Sequence, residues 1–173
     1  RKAVDIGRRV LGEDHPETLS AMFNLAEVLR YQSKYDECEP LHRQAAELRR
    51  RTLGAEHYDT LFSQLALAVI LWEQDKLDEA ESLHRQLWET MRRTLSEEHP
   101  LTLLTMSNLG GLLNRQGKQS EGEELLRKAV EIQTRVLGAE HPETARSMSS
   151  HAYVLRDLGK PAEAEALYRK ALP

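Results

Sequence analysis

The segment Leu11-Gly12-Glu13-Asp14-His15-Pro16-Glu17-Thr18-Leu19 returns three times at intervals of 42 residues, as Leu53 to Leu61 (LGAEHYDTL), Leu95 to Leu103 (LSEEHPLTL) and Leu137 to Ala145 (LGAEHPETA). A fixed period of about 20 to 50 residues means one supersecondary unit stacked on copies of itself, because a single unit cannot bury its apolar face alone. The 173 residues therefore read as one array: a partial second helix over 1–12, repeats over 13–54, 55–96 and 97–138, and a shortened repeat over 139–173. Arg1 to Leu11 aligns with Arg43 to Leu53, and Ala171-Leu172-Pro173 stops partway through another second helix, so a piece of a longer array is expected. Neither end carries a polar capping helix, which predicts exposed apolar ends and end-to-end self-association.

In the first full repeat His15 stands at the cap position, Pro16 opens a helix where its missing N–H costs nothing, and Glu17 puts negative charge in the positive first turn. Leu19, Met22, Leu25, Ala26 and Leu29 recur at three- and four-residue steps, which predicts an amphipathic helix A over about 16–32. The turn Ser33-Lys34-Tyr35-Asp36 has counterparts at 75–78, 117–120 and 159–162, all rich in residues that stop or cap helices. Helix B follows, with a stripe of Tyr35, Cys38, Leu41, Ala45, Leu48 and Leu53. Gly12, Gly54 and Gly138 supply the left-handed residue that ends helix B. Ser96 holds that place in the third copy, where it must take a strained conformation at about 1 kcal/mol or end the helix differently, and a looser Ser96-Glu97-Glu98 loop is expected. Pro40, early in helix B, predicts a slight bend and no break.

Asn24-Leu25-Ala26 in helix A, the Lys34-Tyr35-Asp36-Glu37 turn and the small residue at Cys38 resemble tetratricopeptide repeats. The 42-residue variant with His-Pro-Glu-Thr-Leu is similar to kinesin light chain along the entire chain, a repeat type shared with NOD-like-receptor-type signalling proteins. The resemblance implies an all-α fold, a right-handed superhelical solenoid of antiparallel helix pairs whose concave surface is lined by helix A.

Composition narrows the function. Twenty-four Lys and Arg are spread along the repeats against 28 Asp and Glu, for a net charge of −4, which argues against nucleic acid as a partner. No apolar run reaches the roughly 18 to 20 residues needed to cross a membrane, and the start lacks a signal-peptide core, so a cytoplasmic protein is expected. The single cysteine, Cys38, reads as a small packing residue. His15, His57, His99 and His141 are one position repeated, too far apart to share a metal ion. With their acidic neighbours they read as a loop-and-cap motif. His42 and His84 are assigned to an outer face of helix B, and His151 replaces a core leucine. No phosphate loop, metalloprotease motif or partnered nucleophile is present, so neither enzyme activity, cofactor nor metal is expected.

Carrying over the groove positions that the resemblance implies gives Ser20, Phe23, Asn24, Glu27, Arg30 and Tyr31 in the first repeat and Phe62, Leu65, Ala66, Val69, Trp72 and Glu73 in the second. The third contributes Leu104, Ser107, Asn108, Gly111, Asn114 and Arg115, and the fourth Arg146, Ser149, Ser150, Tyr153, Arg156 and Asp157. Phe62, Leu65, Val69 and Trp72 form an apolar ladder that reads either as a binding pocket or as packing against a neighbouring helix B. The carboxamides of Asn24 and Asn108 suit an extended peptide backbone. Arg115, Arg146 and Arg156, opposed only by Asp157, favour an acidic residue beside an apolar anchor, as in the tryptophan-acidic motifs bound by kinesin light chain repeats. The expected function is a noncatalytic protein-interaction module that captures a peptide or partner segment. The alternative is a sensor or self-assembly array in a larger NOD-like-receptor-type protein.

Overall fold

Each helix A begins at a histidine, and the reason is local. His15, His57, His99 and His141 have extended backbone, with φ near −65° and ψ near 137°, and the Nδ1 of each accepts the N–H two residues on, at 3.3, 3.2, 3.1 and 3.2 Å. One of the four unpaired N–H groups of a helix start is thereby satisfied. The computed structural model describes residues 1–171, so the expectation for Leu172 and Pro173 lies outside the described residues. Among these it contains α1 (Lys2–Val10), α2 (Pro16–Tyr31), α3 (Tyr35–Leu53), α4 (Tyr58–Glu73), α5 (Leu77–Thr94), α6 (Pro100–Arg115), α7 (Gln119–Leu137), α8 (Pro142–Asp157) and α9 (Pro161–Ala171). All are helical, as the period predicts.

The turns between A and B close in one way. The Lys34, Lys76, Lys118 and Lys160 N–H groups each return to a carbonyl five residues back at 2.9 Å. The preceding residues, Ser33, Asp75, Gly117 and Gly159, take φ of 57°, 65°, 80° and 75°. These are Schellman caps, and their short span makes A and B antiparallel neighbours. Helix B ends differently from the expected left-handed residue. Gly54 and Gly138 have ψ of 162° and 158° with φ of 97° and 93°, an extended region that strongly favours glycine. Ser96 takes a positive φ of 113° all the same. Two exposed ion pairs reach its loop, Lys128 to Glu97 at 2.6 Å and Arg135 to Glu98 at 2.8 Å. Pro40 lies inside α3, which runs through it unbroken.

The chain divides into two compact units, one of Arg1–Leu83 and one from His84 onward. In the first, Val4, Leu19, Met22 and Ala45 form one core layer across α1, α2 and α3, and Ala26, Leu29, Cys38 and Ile70 form the next across α2, α3 and α4. In the second, Leu103, Met106, Ala129 and Ile132 pack with Trp88, and Ala152, Leu155 and Ala164 pack with Leu167 and Tyr168. Each fully buried Leu, Ile or Met contributes about 1.5–3 kcal/mol. Exposed ion pairs stitch successive B helices inside each unit at a spacing of 36 residues: Arg43 to Glu79 at 2.9 Å in the first, Arg85 to Glu121 at 2.7 Å in the second. Arg1 and Glu37 pair in the same register. Such pairs contribute at most about 1 kcal/mol each, so burial and not charge holds the layers.

Candidate functional site

The first unit carries a pocket of about 250 Å³. Ser20, Phe23 and Asn24 of α2 form one wall, Tyr58, Asp59 and Phe62 of α4 the other, and Arg49 of α3 closes the end. The rings are arranged together: Phe23 and Phe62 centroids lie 5.3 Å apart, and Tyr58 stacks on Phe62 at 6.4 Å with planes 5° apart. Tyr58 and Phe62 remain 47% and 38% exposed, so neither is consumed by the core. Arg49 donates to the Ser63 hydroxyl, which in turn donates to the Asp59 carbonyl at 2.8 Å, and its guanidinium lies 5.9 Å from the Phe23 centroid. Burial pushes the pKa of Arg49 down, and the Asp59 charge only partly offsets it.

A polar cluster adjoins this pocket through Phe23. His42 meets the Phe23 ring edge-on at 5.2 Å and places Nε2 3.3 Å from Glu27 Oε1, within ion-pair reach but outside hydrogen-bond alignment. Glu27 Oε2 accepts Nε and Nη2 of Arg30, both at 3.1 Å, and Arg30 Nη1 reaches Glu73 at 3.3 Å. Arg30 also lies 4.8 Å over the Tyr31 ring, which is 79% exposed. Burial lowers the His42 pKa, against the pull of the Glu27 carboxylate. The Cys38 thiol nearby is fully buried and pushed up to about 11 by that burial, with Glu27 adding to it, which suits a packing residue and not a reactive thiol.

The predicted groove residues therefore separate. Asn24 and Phe62 line the pocket from its two sides, while Glu27 and Arg30 belong to the ion-pair cluster. Leu65 is a correction: only 4% exposed, it is core, since a leucine on that side of α4 gains more by packing than by facing water. Val69 and Trp72 are half-buried, and Trp72 does not line the pocket. In the second unit Asn108 is half-buried and Arg115 exposed. Tyr153 is exposed, with the Arg156 guanidinium 4.2 Å over its ring, and Arg156 pairs with Asp157 at 3.0 Å. Asp157 also accepts from Asn114 Nδ2 at 2.9 Å. Arg146 pairs with Glu143, so Asp157 is not the sole counter-charge expected for these arginines.

The outer-face assignment of His42 and His84 is also corrected, because both are fully buried. His151 is buried too and satisfied, with Nε2 2.8 Å from Glu123 Oε1. Arg49, Tyr58 and Asp59 were not among the predicted groove residues. Arg49 lies on helix B, and Tyr58 stands where the other copies have proline, a departure readable by aligning the chain with itself.

An array of capped, antiparallel helix pairs with side chains displayed on helix A is the architecture of a helical-repeat interaction scaffold. The chain belongs to the tetratricopeptide repeat family, whose model matches residues 1–37, 21–93, 67–121 and 101–173. Two crystal structures of kinesin-light-chain-type proteins with nearly identical TPR-like repeats from Podosopora anserina, one of them a single-residue variant, are both 29% identical to it. The variant superposes with a TM-score of 0.82 over 97% of this chain and 79% of its own, the other with 0.79 over 97% and 80%. The apo form of RapI, 18% identical, shares the fold with a TM-score of 0.81 over 98% of this chain and 61% of its own. No curated protein matches the chain.

Proposed function

We infer that this chain is a noncatalytic tetratricopeptide scaffold that captures a short segment of a partner protein on the helix A face. The observation that carries this reading is the pocket of the first unit, where Phe23 and Asn24 of one helix A face Tyr58 and Phe62 of the next, with the latter pair exposed beyond what packing uses. Aromatic side chains in a recess with a polar rim are what binding hot spots favour. Val69 and Trp72 would extend the contact along α4, and Asn24 and Asn108 would engage peptide backbone. Arg115, Arg146 and Arg156 would steer acidic partners and make association salt-sensitive. Among the described residues no helix is long and apolar enough to cross a membrane, and a cytoplasmic setting belongs to the same proposal.

Fluorescent peptides with and without Trp beside Asp or Glu, titrated at low and moderate salt, test it. Salt-sensitive binding is expected for the Trp-acidic set, with loss in a Trp72→Ala, Asn108→Ala variant of unchanged helicity. Failure of every peptide to bind would reject segment capture. A second reading is assembly through a repeat edge, as a sensor or self-assembly array of a larger NOD-like-receptor-type protein would use. Concentration-dependent sedimentation that survives the same pair of substitutions would favour it.

A further inference from the structure

Phe23 belongs to two groups at once. On one side its ring is part of the wall of the first-unit pocket, 5.3 Å from Phe62. On the other it lies 5.2 Å from the imidazole of His42, with the two planes 78° apart. His42 comes from α3, is fully buried, and has Nε2 3.3 Å from Oε1 of Glu27, one turn along α2 from Phe23. A titratable group thus supports the pocket wall from behind. Only the first copy has phenylalanine, glutamate and histidine at these three positions: the second keeps the histidine, His84, but has Leu65 and Val69, and the later copies have leucine and tyrosine in place of the histidine. Stacking does not need the set, since the other copies form their helix pairs without it.

The charges around His42 are few. Glu27 and Arg30 face it from α2, Glu27 favouring the imidazolium and Arg30 opposing it. Glu73 of α4 reaches the cluster through Arg30, at 3.3 Å. On α3 itself the Cys38 thiol, one turn earlier, stays protonated, and Glu39 and Arg43 are engaged by Lys76 and Glu79 of the next repeat. Burial outweighs the pull of Glu27, so His42 is neutral near neutral pH and takes its proton below its ordinary value. In the neutral ring Nε2 is out of hydrogen-bond alignment with Glu27. An imidazolium cannot keep that pose, because a buried charge without a well-aligned partner is strongly disfavoured and a charge-assisted hydrogen bond is about twice as strong as a neutral one. The ring must turn to aim Nε2–H at Glu27 Oε1. Glu27 then divides its carboxylate between two cations, since Oε2 already accepts Nε and Nη2 of Arg30, both at 3.1 Å. Turning the imidazole also ends its edge-on contact with Phe23, which depends on that particular ring geometry.

We propose that His42 is a proton-responsive positioning residue: on protonation it turns from the Phe23 ring to the Glu27 carboxylate, and the Phe23 wall of the recess between α2 and α4 loosens. The proposal rests on the segment-capture reading for its consequence, since it makes the recess used for capture sensitive to acid.

The full chain, labelled with 13C in its aromatic rings and carrying no ligand, is titrated from about pH 7.5 to about pH 5, across the histidine range, with circular dichroism marking where the fold is intact. The Phe23 and Phe62 ring signals are expected to move together with His42 Cε1–H at one midpoint below the ordinary value of about 6.5, with loss of the Overhauser contact between the two phenylalanines. Glu27→Gln should carry that shared midpoint to lower pH. His42→Gln, which cannot take a proton in this range, should leave the Phe23 and Phe62 signals flat. Phe23 signals that stay fixed while His42 protonates, signals that follow a different midpoint, or a His42 that stays neutral until the chain unfolds would each overturn the proposal, and the unmodified chain decides among these even if a variant fails to fold. The absence of ligand separates the two readings. Peptides that bind a chain whose Phe23 ignores pH would sink the positioning role and spare segment capture. A Phe23 that follows His42 in a chain that binds no peptide would leave the role standing and reject capture.

Discussion

His42 and His84 occupy one repeat position, filled in the later copies by Leu126 and Tyr168. Their burial follows from spacing, since His42 lies four residues after Cys38 and three before Ala45 on the inner stripe of α3. Helical period therefore places both on the inner face. Both ring nitrogens of His84 are buried without a partner, and burial pushes its pKa down to about 4. The linkage has a definite sign. The unfolded histidine takes its proton near 6.5, the folded one only near 4, so stability is complete above that window and falls with pH inside it. The slope approaches about 1.4 kcal/mol per pH unit for one proton. His84→Leu, which copies Leu126, is expected to remove one proton from the pH dependence of the denaturant midpoint between pH 7 and 5. A slope unchanged from the parent would show that His84 is not held neutral. His42 shifts in the same direction, so some dependence should persist in the variant.

The element scale is governed by how closely A and B approach, and in the third repeat the approach leaves no room for a side chain. A Cβ on Gly122 would sit 2.5 Å from the Gly110 carbonyl oxygen, and one on Gly110 would sit 2.6 Å from Leu126 Cγ. The equivalents of Gly122 are Cys38, Ala80 and Ala164, so comparison of the copies favours alanine, as does helix propensity by about 0.5–1 kcal/mol. Contact with rigid backbone outweighs that preference. Gly122→Ala is expected to destabilise the protein by about 1–3 kcal/mol, read as a lower urea midpoint with unchanged slope. A rise in the midpoint would mean that α6 and α7 do not cross this closely. Glycine at this position in the third repeat thus follows from the close approach of α6 and α7.

Across the whole molecule stability should be uneven, because every helix pair leans only on its neighbours. α1 buries Val4 and Gly7 and α9 buries Ala164, whereas α6 buries eleven of its sixteen residues. Amide exchange in α6 is expected to be slower than in α1 and α9 by a factor of about 100 or more; uniform protection would point to one all-or-none unfolding unit. The helices, their A and B alternation, the histidine caps and the cysteine's packing role were legible from the sequence. Each is settled within a turn or two of backbone, where period, a capping side chain and a positive-φ residue act alone. The pairing of Arg146 with Glu143 lies within the same local reach, three residues apart on one helix turn. Only the tertiary structure decided that Leu65 is core, that His42 lies between Phe23 and Glu27, and that Arg49 meets Tyr58 and Phe62 at one recess. Those outcomes depend on which side of a helix a neighbour covers and how near it comes, quantities fixed by packing between segments that no local pattern encodes.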